Sequence, residues 1–466
     1  MRHLLLLLCL GATAFGSPFS ARFDEIKRAA TPAQLYTFLY ALPKGGDLHN
    51  HLGGAVRSEW WYAIATDPAR NGGDTFYTRV KFTAGLDTGR PLILFHNIRQ
   101  HTYGTLPAAL QADYVRLDSL SSDQKQAWLD SLRLERPGEG RKEFFDWIWP
   151  RLNELGDSLP VTGEILVETM KAYGAEGMRY LETQQGAMGM SDNDGRPIPP
   201  AVVADYLRAR LAKPDAVATG VTVRLQCTVL RFAANAEQRL EELYNFVDAN
   251  RDLWVGINMA GIEENDKGNP ARFLAKYREL RRNHPTLALS IHGGEMDGPD
   301  SHVRDTLLLG ATRIGHGVNL IQDPDTLLLL QQTRRVLVEV NLVSNRVLEY
   351  TPDLTKHPFP EYLRTGVPVC LNTDDPGMWD ANLTDEYYTA VTTFNLSWEE
   401  IVQLGRNSLA YSFAQPELKA KLLADYEKAV AAFEAKFASG DLAAALAGVK
   451  PVAYGYAKRT WGLEFK

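Results

Sequence analysis

Eight short runs of β-rich or apolar residues recur along the chain, and segments with helical spacing separate most of them. The runs cover residues 47–54, 178–186, 221–230, 253–261, 286–295, 312–320, 335–345 and 367–377. Helical periodicity appears between them at 202–212, 237–251, 270–283 and 324–333. Strands that alternate with helices imply parallel pairing through right-handed crossovers, and eight such units predict an α/β fold, a (β/α)8 TIM barrel. The apolar character of the runs fits a sheet whose outer face is covered by helices. Two regions fall outside the repeat. Residues 66–140 read as an insertion after the first strand, with a β segment in "TFYTRVKF", packed beside the barrel mouth. Residues 416–437 read as a helix on the outside. The 466 residues are thus assigned to one decorated catalytic domain over 17–466 rather than to two domains.

Residues 1–16 depart from the rest. Arg2 gives a positive start, Leu4–Leu10 a short apolar core, and Ala12, Ala14 and Gly16 small residues suited to cleavage. This pattern reads as a signal peptide cut near Gly16, with Ala14 as the alternative, so the mature protein is expected to be secreted or periplasmic. The later sequence has no apolar run long enough to span a membrane, so no membrane partner is expected in the mature form. The net charge of -7 and the lack of a basic run exclude nucleic acid as an expected partner. Cys9 leaves with the leader, and Cys227 and Cys370 sit in separate strand runs, so both are expected to be free thiols.

Catalytic groups of a barrel gather at the C-terminal ends of its strands. The first run ends in "GGDLHNHLGGA". His49 and His51 are two apart there, so in a strand they point the same way. The fifth gives His292 and Glu295, the sixth His316, the eighth Asp374 and Asp375. Taken singly, each has a bland reading as a buried histidine or a turn aspartate. Seven such groups at strand ends on one face read as a metal site. Nitrogen ligands with one carboxylate suit zinc. His49, His51 and His292 supply nitrogen and an aspartate of the last strand completes the set. Adjacent Asp374 and Asp375 would point apart in a regular strand, leaving one for another task. Zinc makes a hydroxide nucleophile available. His316 is placed to accept the water proton, and a buried Glu295 would stay protonated as the acid. The set describes hydrolytic attack on an electron-poor carbon.

In order, "PKGGDLHNHLGGA", "SIHGGE", "RIGHG", "VEVNLVSN" and "LNTDDPG" resemble the adenosine deaminase family over most of the chain. The leader, "KGGDLHNH" and the long insert are most similar to its secreted, growth-factor-related branch. The resemblance implies one zinc on His49, His51, His292 and Asp374. It implies Glu295 protonating purine N1, His316 activating water for attack at C6, Asp375 at N7, and the Gly261 backbone N–H at N3. Gly53 stands where many members carry an aspartate that contacts ribose. Trp147 and Trp149, in the 143–152 segment, lie where an aromatic could cover the sugar or base, and core packing under the insert is the favoured reading. Glu182, after the second strand, is a candidate to reach the mouth and meet the substrate, with a structural role the favoured reading. Asn345 is read as tying the seventh strand to its neighbours. His96, His101, His284, His302 and His357 are not read as ligands. The implied partner is a small-molecule purine nucleoside, adenosine or 2′-deoxyadenosine. The alternatives are another 6-aminopurine such as adenine or a 5′-modified adenosine, a general metal-dependent amide hydrolase, or a non-catalytic nucleoside- or receptor-binding signalling protein. Assembly, a homodimer included, is left open.

Overall fold

The computed structural model describes residues 17–83, 92–264 and 266–465; the leader assignment lies outside them. Eight parallel strands form the central sheet. They are β1 (Gly45–His51), β2 (Met178–Gln184), β3 (Thr222–Leu230), β4 (Trp254–Ala260), β5 (Ala288–Gly293), β6 (Arg313–His316), β7 (Leu337–Val340) and β8 (Val369–Leu371). Each pairs with the next in sequence. Helices surround the sheet, and the fold is the expected α/β barrel.

The barrel closes just beyond the end of β8. Asp374 N–H donates to the His49 carbonyl (2.9 Å) and His51 N–H to the Asp374 carbonyl (3.0 Å). Closure therefore sets Asp374 between the two β1 histidines before any side chain is considered. Asp374 takes φ +60° to do so, a left-handed conformation uncommon outside glycine.

The main core is a large cluster wrapped around the sheet, and a small second one, with Tyr77, Ile98 and Leu110, lies in the insert. β4 and β7 are buried at every position, as strands covered on both faces must be. The barrel interior departs from the aliphatic layers usual in this fold. Glu182, Gln226, Asn258, Ser290, Arg313 and Glu339 are all buried. Arg313 Nη2 pairs with Glu182 (2.7 Å) and its Nε with Glu339 (2.6 Å). Burying such charges is tolerable only because they are paired.

The seventh run is not one strand. Its pairing stops at Val340, and Leu342–Val347 is a helix whose first N–H groups donate to the Glu386 carboxylate (2.9 and 3.0 Å). The inserted segment holds a three-stranded antiparallel sheet of Phe76–Arg79, Asn97–Arg99 and Tyr114–Arg116. The expected C-terminal helix runs Pro416–Phe437 and buries Phe433 against Phe38 and Trp398. Cys227 and Cys370 are free and buried, as expected.

Candidate metal and catalytic site

Four ligand atoms converge at the C-terminal end of the barrel. His49 Nε2 lies 3.1 Å from His292 Nε2 and 3.4 Å from Asp374 Oδ1. His51 Nε2 lies 3.3 Å from His292 Nε2 and 3.2 Å from Asp374 Oδ1. Donors about 2.0–2.1 Å from one tetrahedral centre lie about 3.3–3.4 Å apart, so these spacings are those of a cation's coordination shell. Three imidazole nitrogens and a carboxylate oxygen converging in this way form a donor set that a cation satisfies. The residues present fit a divalent metal, and their chemistry is that of zinc ligands.

The supporting contacts fix the rings. His49 Nδ1 is 2.8 Å from Glu339 Oε2, and His292 Nδ1 is 2.9 Å from Asn258 Oδ1. Such partners hold each ring so that Nε2 faces the metal. Ser344 Oγ donates to Asp374 Oδ2 (2.7 Å). Burial opposes charge on His49, but Asp374 and Glu339 outweigh it and raise its pKa to about 10. Burial holds His292 well below its ordinary value.

A cavity of about 310 Å3 opens beside this cluster. His51, His292, His316, Glu295, Asp374 and Asp375 line its polar side; Phe144, Phe145, Trp149, Leu230, Phe232 and Gly261 are among those lining the other. Burial, then the nearby Asp374, pushes both Glu295 and Asp375 well above the usual carboxylate range. The shift favours the protonated form of each, the form that can donate a hydrogen bond to an acceptor nitrogen of a ring. Asp375 Oδ1 and His316 Nε2 are buried without a hydrogen-bond partner. His316 Nε2 is 3.4 Å from Glu295 Oε2. Asp374 and Asp375 part because the chain turns after β8 and enters the short helix Pro376–Trp379, not because a strand alternates.

The seven strand-end residues and Gly261 thus surround one space. Two expected site residues do not join them. Glu182 is buried in the barrel interior, where Tyr180 Oη, the Phe413 N–H and Arg313 donate to it. It precedes Gln184 by one strand period, and Gln184 reaches the mouth instead. Trp147 lines neither this cavity nor its neighbour; Trp149 lines both. Residues 144–148 form a π-turn in which the Trp149 N–H bonds the Phe144 carbonyl, so residue 149 shares the face of 144 and 147 does not. Trp149 also bears on Gly53, since a Cβ there would lie 3.1 Å from the indole.

A second cavity of about 410 Å3 adjoins the first and shares His51, Trp149 and Thr228 with it. Asn153, Gln184, Gln185 and Arg239 make its lining more polar. Gln184 Nε2 is 3.5 Å from His51 Nε2, and its Oε1 accepts from Thr228 Oγ1 (2.7 Å). The run "ETQQG" at a strand end carried the signal for Gln184. Glu263, in "NMAGIEE", was missed too: it accepts from the Gly294 N–H and from His302 Nδ1, both at 2.9 Å, and so holds the loop that bears Glu295.

The adenosine deaminase family model matches residues 152–429. The chain belongs to the adenosine deaminase family. It is 30% identical over 249 residues to an adenosine deaminase of Enterococcus faecalis, covering 53% of this chain and 70% of that protein. Against an adenosine deaminase of Vibrio cholerae the identity is 36% over 170 residues, covering 36% of this chain and about half, 49%, of that protein's length. An adenine deaminase of Paraburkholderia phytofirmans is 32% identical, with 49% and 64% covered. Two solved structures share the fold at TM-score 0.62. One is the N6-methyl-AMP deaminase of Arabidopsis thaliana (21% identity; 85% of this chain and 99% of that one). The other is a zinc-bound amidohydrolase of Burkhoderia ambifaria (20% identity; 88% and 96%). Enzymes of this family are metal-dependent hydrolases, and this chain retains a ligand set for a metal.

Proposed function

We propose that this deaminase acts on a 6-aminopurine nucleoside, adenosine or 2′-deoxyadenosine, with zinc held by His49, His51, His292 and Asp374. The observation that carries the reading is that two buried carboxyls, Glu295 and Asp375, line one cavity with the converging ligands His51, His292 and Asp374, and burial favours their protonated forms. Zinc in that place supplies Lewis acidity and a nucleophilic oxygen at neutral pH. Glu295 donates its proton to a ring nitrogen next to the amino-bearing carbon, which makes that carbon electron-poor. Asp375 donates to a second ring nitrogen and fixes the ring's orientation. The aromatic side of the cavity covers the ring and keeps bulk water out. One proton of the attacking water restores Glu295 and the other joins the amino group, which leaves as ammonia.

The second cavity supports a nucleoside over a free base. It starts where the first ends and has polar lining suited to a sugar. Trp149, packed against Gly53, occupies the side on which an aspartate at position 53 would reach a ribose. Sugar contacts then fall to Gln184, Asn153 and Thr228. Remote binding of that kind positions the ring for attack. The second reading is an adenine or nucleoside monophosphate substrate: relatives include an adenine deaminase, and Arg239 would favour an anionic 5′ group. Ammonia release from adenosine, 2′-deoxyadenosine, adenine, AMP and cytidine by zinc-loaded protein decides. Adenosine and deoxyadenosine are expected to lead and cytidine to be inert. A higher kcat/KM for adenine or AMP overturns the nucleoside assignment. Export, and with it the growth-factor-related branch, rests on residues 1–16 and the long insert; N-terminal sequencing of protein recovered outside the cytoplasm tests it.

A further inference from the structure

We propose that His316 meets the reacting atoms with an N–H rather than a lone pair, held in that tautomer by the positioning residues Asn345 and His357. The chain of bonds begins at a backbone amide, whose direction is unambiguous. The Phe359 N–H donates to His357 Nδ1 (3.1 Å). His357 is only 1% exposed, and burial pushes its pKa down to about 3, so its ring is neutral and its single proton sits on Nε2. That Nε2–H donates to Asn345 Oδ1 (3.1 Å). The contact orients the Asn345 amide, an assignment that otherwise rests on network consistency alone. Asn345 Nδ2 is then directed at His316 Nδ1, 3.1 Å away. Asn341 Nδ2 lies 3.1 Å from the same nitrogen.

With the anchored Asn345 amide donating to it, His316 Nδ1 is an acceptor, and the proton of the neutral ring is on Nε2. Nε2 is the buried nitrogen left without a hydrogen bond beside the cavity. Two things follow. A ring protonated at Nε2 does not ligate a metal through that atom, which separates His316 from His49, His51 and His292 although all four crowd together. It also cannot take a proton there, so it orients the oxygen nucleophile and stabilises its charge by donating a hydrogen bond. No proton moves through His316 in this role: the water's protons pass to Glu295, once it has protonated the ring, and to the departing amino group. What that oxygen attacks rests on the deaminase reading above; the tautomer does not.

The test uses full-length, zinc-loaded protein carrying 15N-histidine. Imidazole 15N shifts separate a protonated from an unprotonated nitrogen, and loss of signal in His316→Gln assigns the ring. Nε2 protonated and Nδ1 bare is expected. An Nδ1–H tautomer, or Nε2 bound to metal, overturns the proposal. Asn345→Asp replaces the donor by an acceptor. It should move the proton to Nδ1 and lower kcat about 10²–10³-fold, the usual effect of losing one such donor, with KM and zinc content essentially unchanged. His357→Gln keeps an N–H where Nε2–H stands and should retain both the tautomer and most of kcat. An Asn345→Asp protein with wild-type tautomer and kcat, or a His357→Gln protein as impaired as Asn345→Asp, refutes the relay. If wild-type protein deaminates none of the purines, the functional reading fails while the 15N result still decides the tautomer.

Discussion

Glu339→Gln is a sharp test of how the barrel interior serves the metal. Glu339 is fully buried and shares one oxygen with His49 Nδ1 (2.8 Å) and the other with Arg313 Nε (2.6 Å). Burial opposes its ionisation, but Arg313 and His49 outweigh it and hold its carboxyl below the ordinary value. Glutamine keeps the volume and an acceptor oxygen for the His49 Nδ1–H while removing the charge. Arg313 retains Glu182 at 2.7 Å, so the remaining interior charges still pair. The amide NH2 then faces the Arg313 Nε–H, donor against donor, so the metal-free protein should lose about 1–3 kcal/mol. Arg313→Met, in contrast, strands two buried carboxylates and should cost about 3–5 kcal/mol. The effect of Glu339→Gln should appear in metal affinity. A supporting carboxylate typically accounts for about 10–100-fold, or about 1.4–2.7 kcal/mol. The assay is zinc competition against a chelator, with thermal unfolding of the metal-free protein alongside. Unchanged zinc affinity, or a metal-free protein destabilised as much as Arg313→Met, refutes the reasoning.

Other perturbations separate ligation from chemistry. Alanine at His49, His51 or His292 should abolish most zinc binding and activity, read by elemental analysis; full zinc content in all three variants would remove the site. Glu295→Gln should keep zinc and the fold yet lower kcat at least about 10²–10⁴-fold, with KM little changed. Glu295 acts only when protonated, and its pKa is raised, so wild-type activity should decline as pH climbs through that raised value; a flat alkaline limb in wild type would point to a different acid. Gly54→Ala would set a Cβ 1.6 Å from Asp375 Oδ1. It should reduce turnover while zinc remains bound, at a stability cost of about 1–3 kcal/mol from overpacking, and wild-type turnover would show that Asp375 is free to move.

Short runs rich in aliphatic and β-branched residues and bounded by turn residues made all eight strands legible, even where a strand carries an inward polar residue such as Glu182 or Glu339. The ligand set was legible for a related reason. Period-two spacing in β1 and placement at strand ends are sequence facts, and barrel closure brings them together. What escaped was set by distant partners. Leu342–Val347 looks like more of β7, yet it is helical because the Glu386 carboxylate, far along the chain, accepts its first N–H groups. Trp147 and Trp149 are equivalent by composition, and a π-turn decides between them. Glu182 points into the interior because Arg313 waits there, a pairing no local pattern reveals.

The polar interior explains why a fold usually filled with aliphatic layers keeps buried charge here. Replacing a buried ion pair by apolar residues often costs nothing in stability, so stability alone does not account for Glu182, Arg313 and Glu339. Their placement does. Glu182 holds Arg313, Arg313 holds Glu339, and Glu339 holds His49, one step from the converging ligand atoms. On the other side Asn258 orients His292 and Ser344 holds Asp374. A metal centre built on strand ends needs each imidazole fixed in one tautomer and one direction, and only partners within the barrel can reach the inward-facing Nδ1 atoms. The interior is polar because the site above it must be rigid.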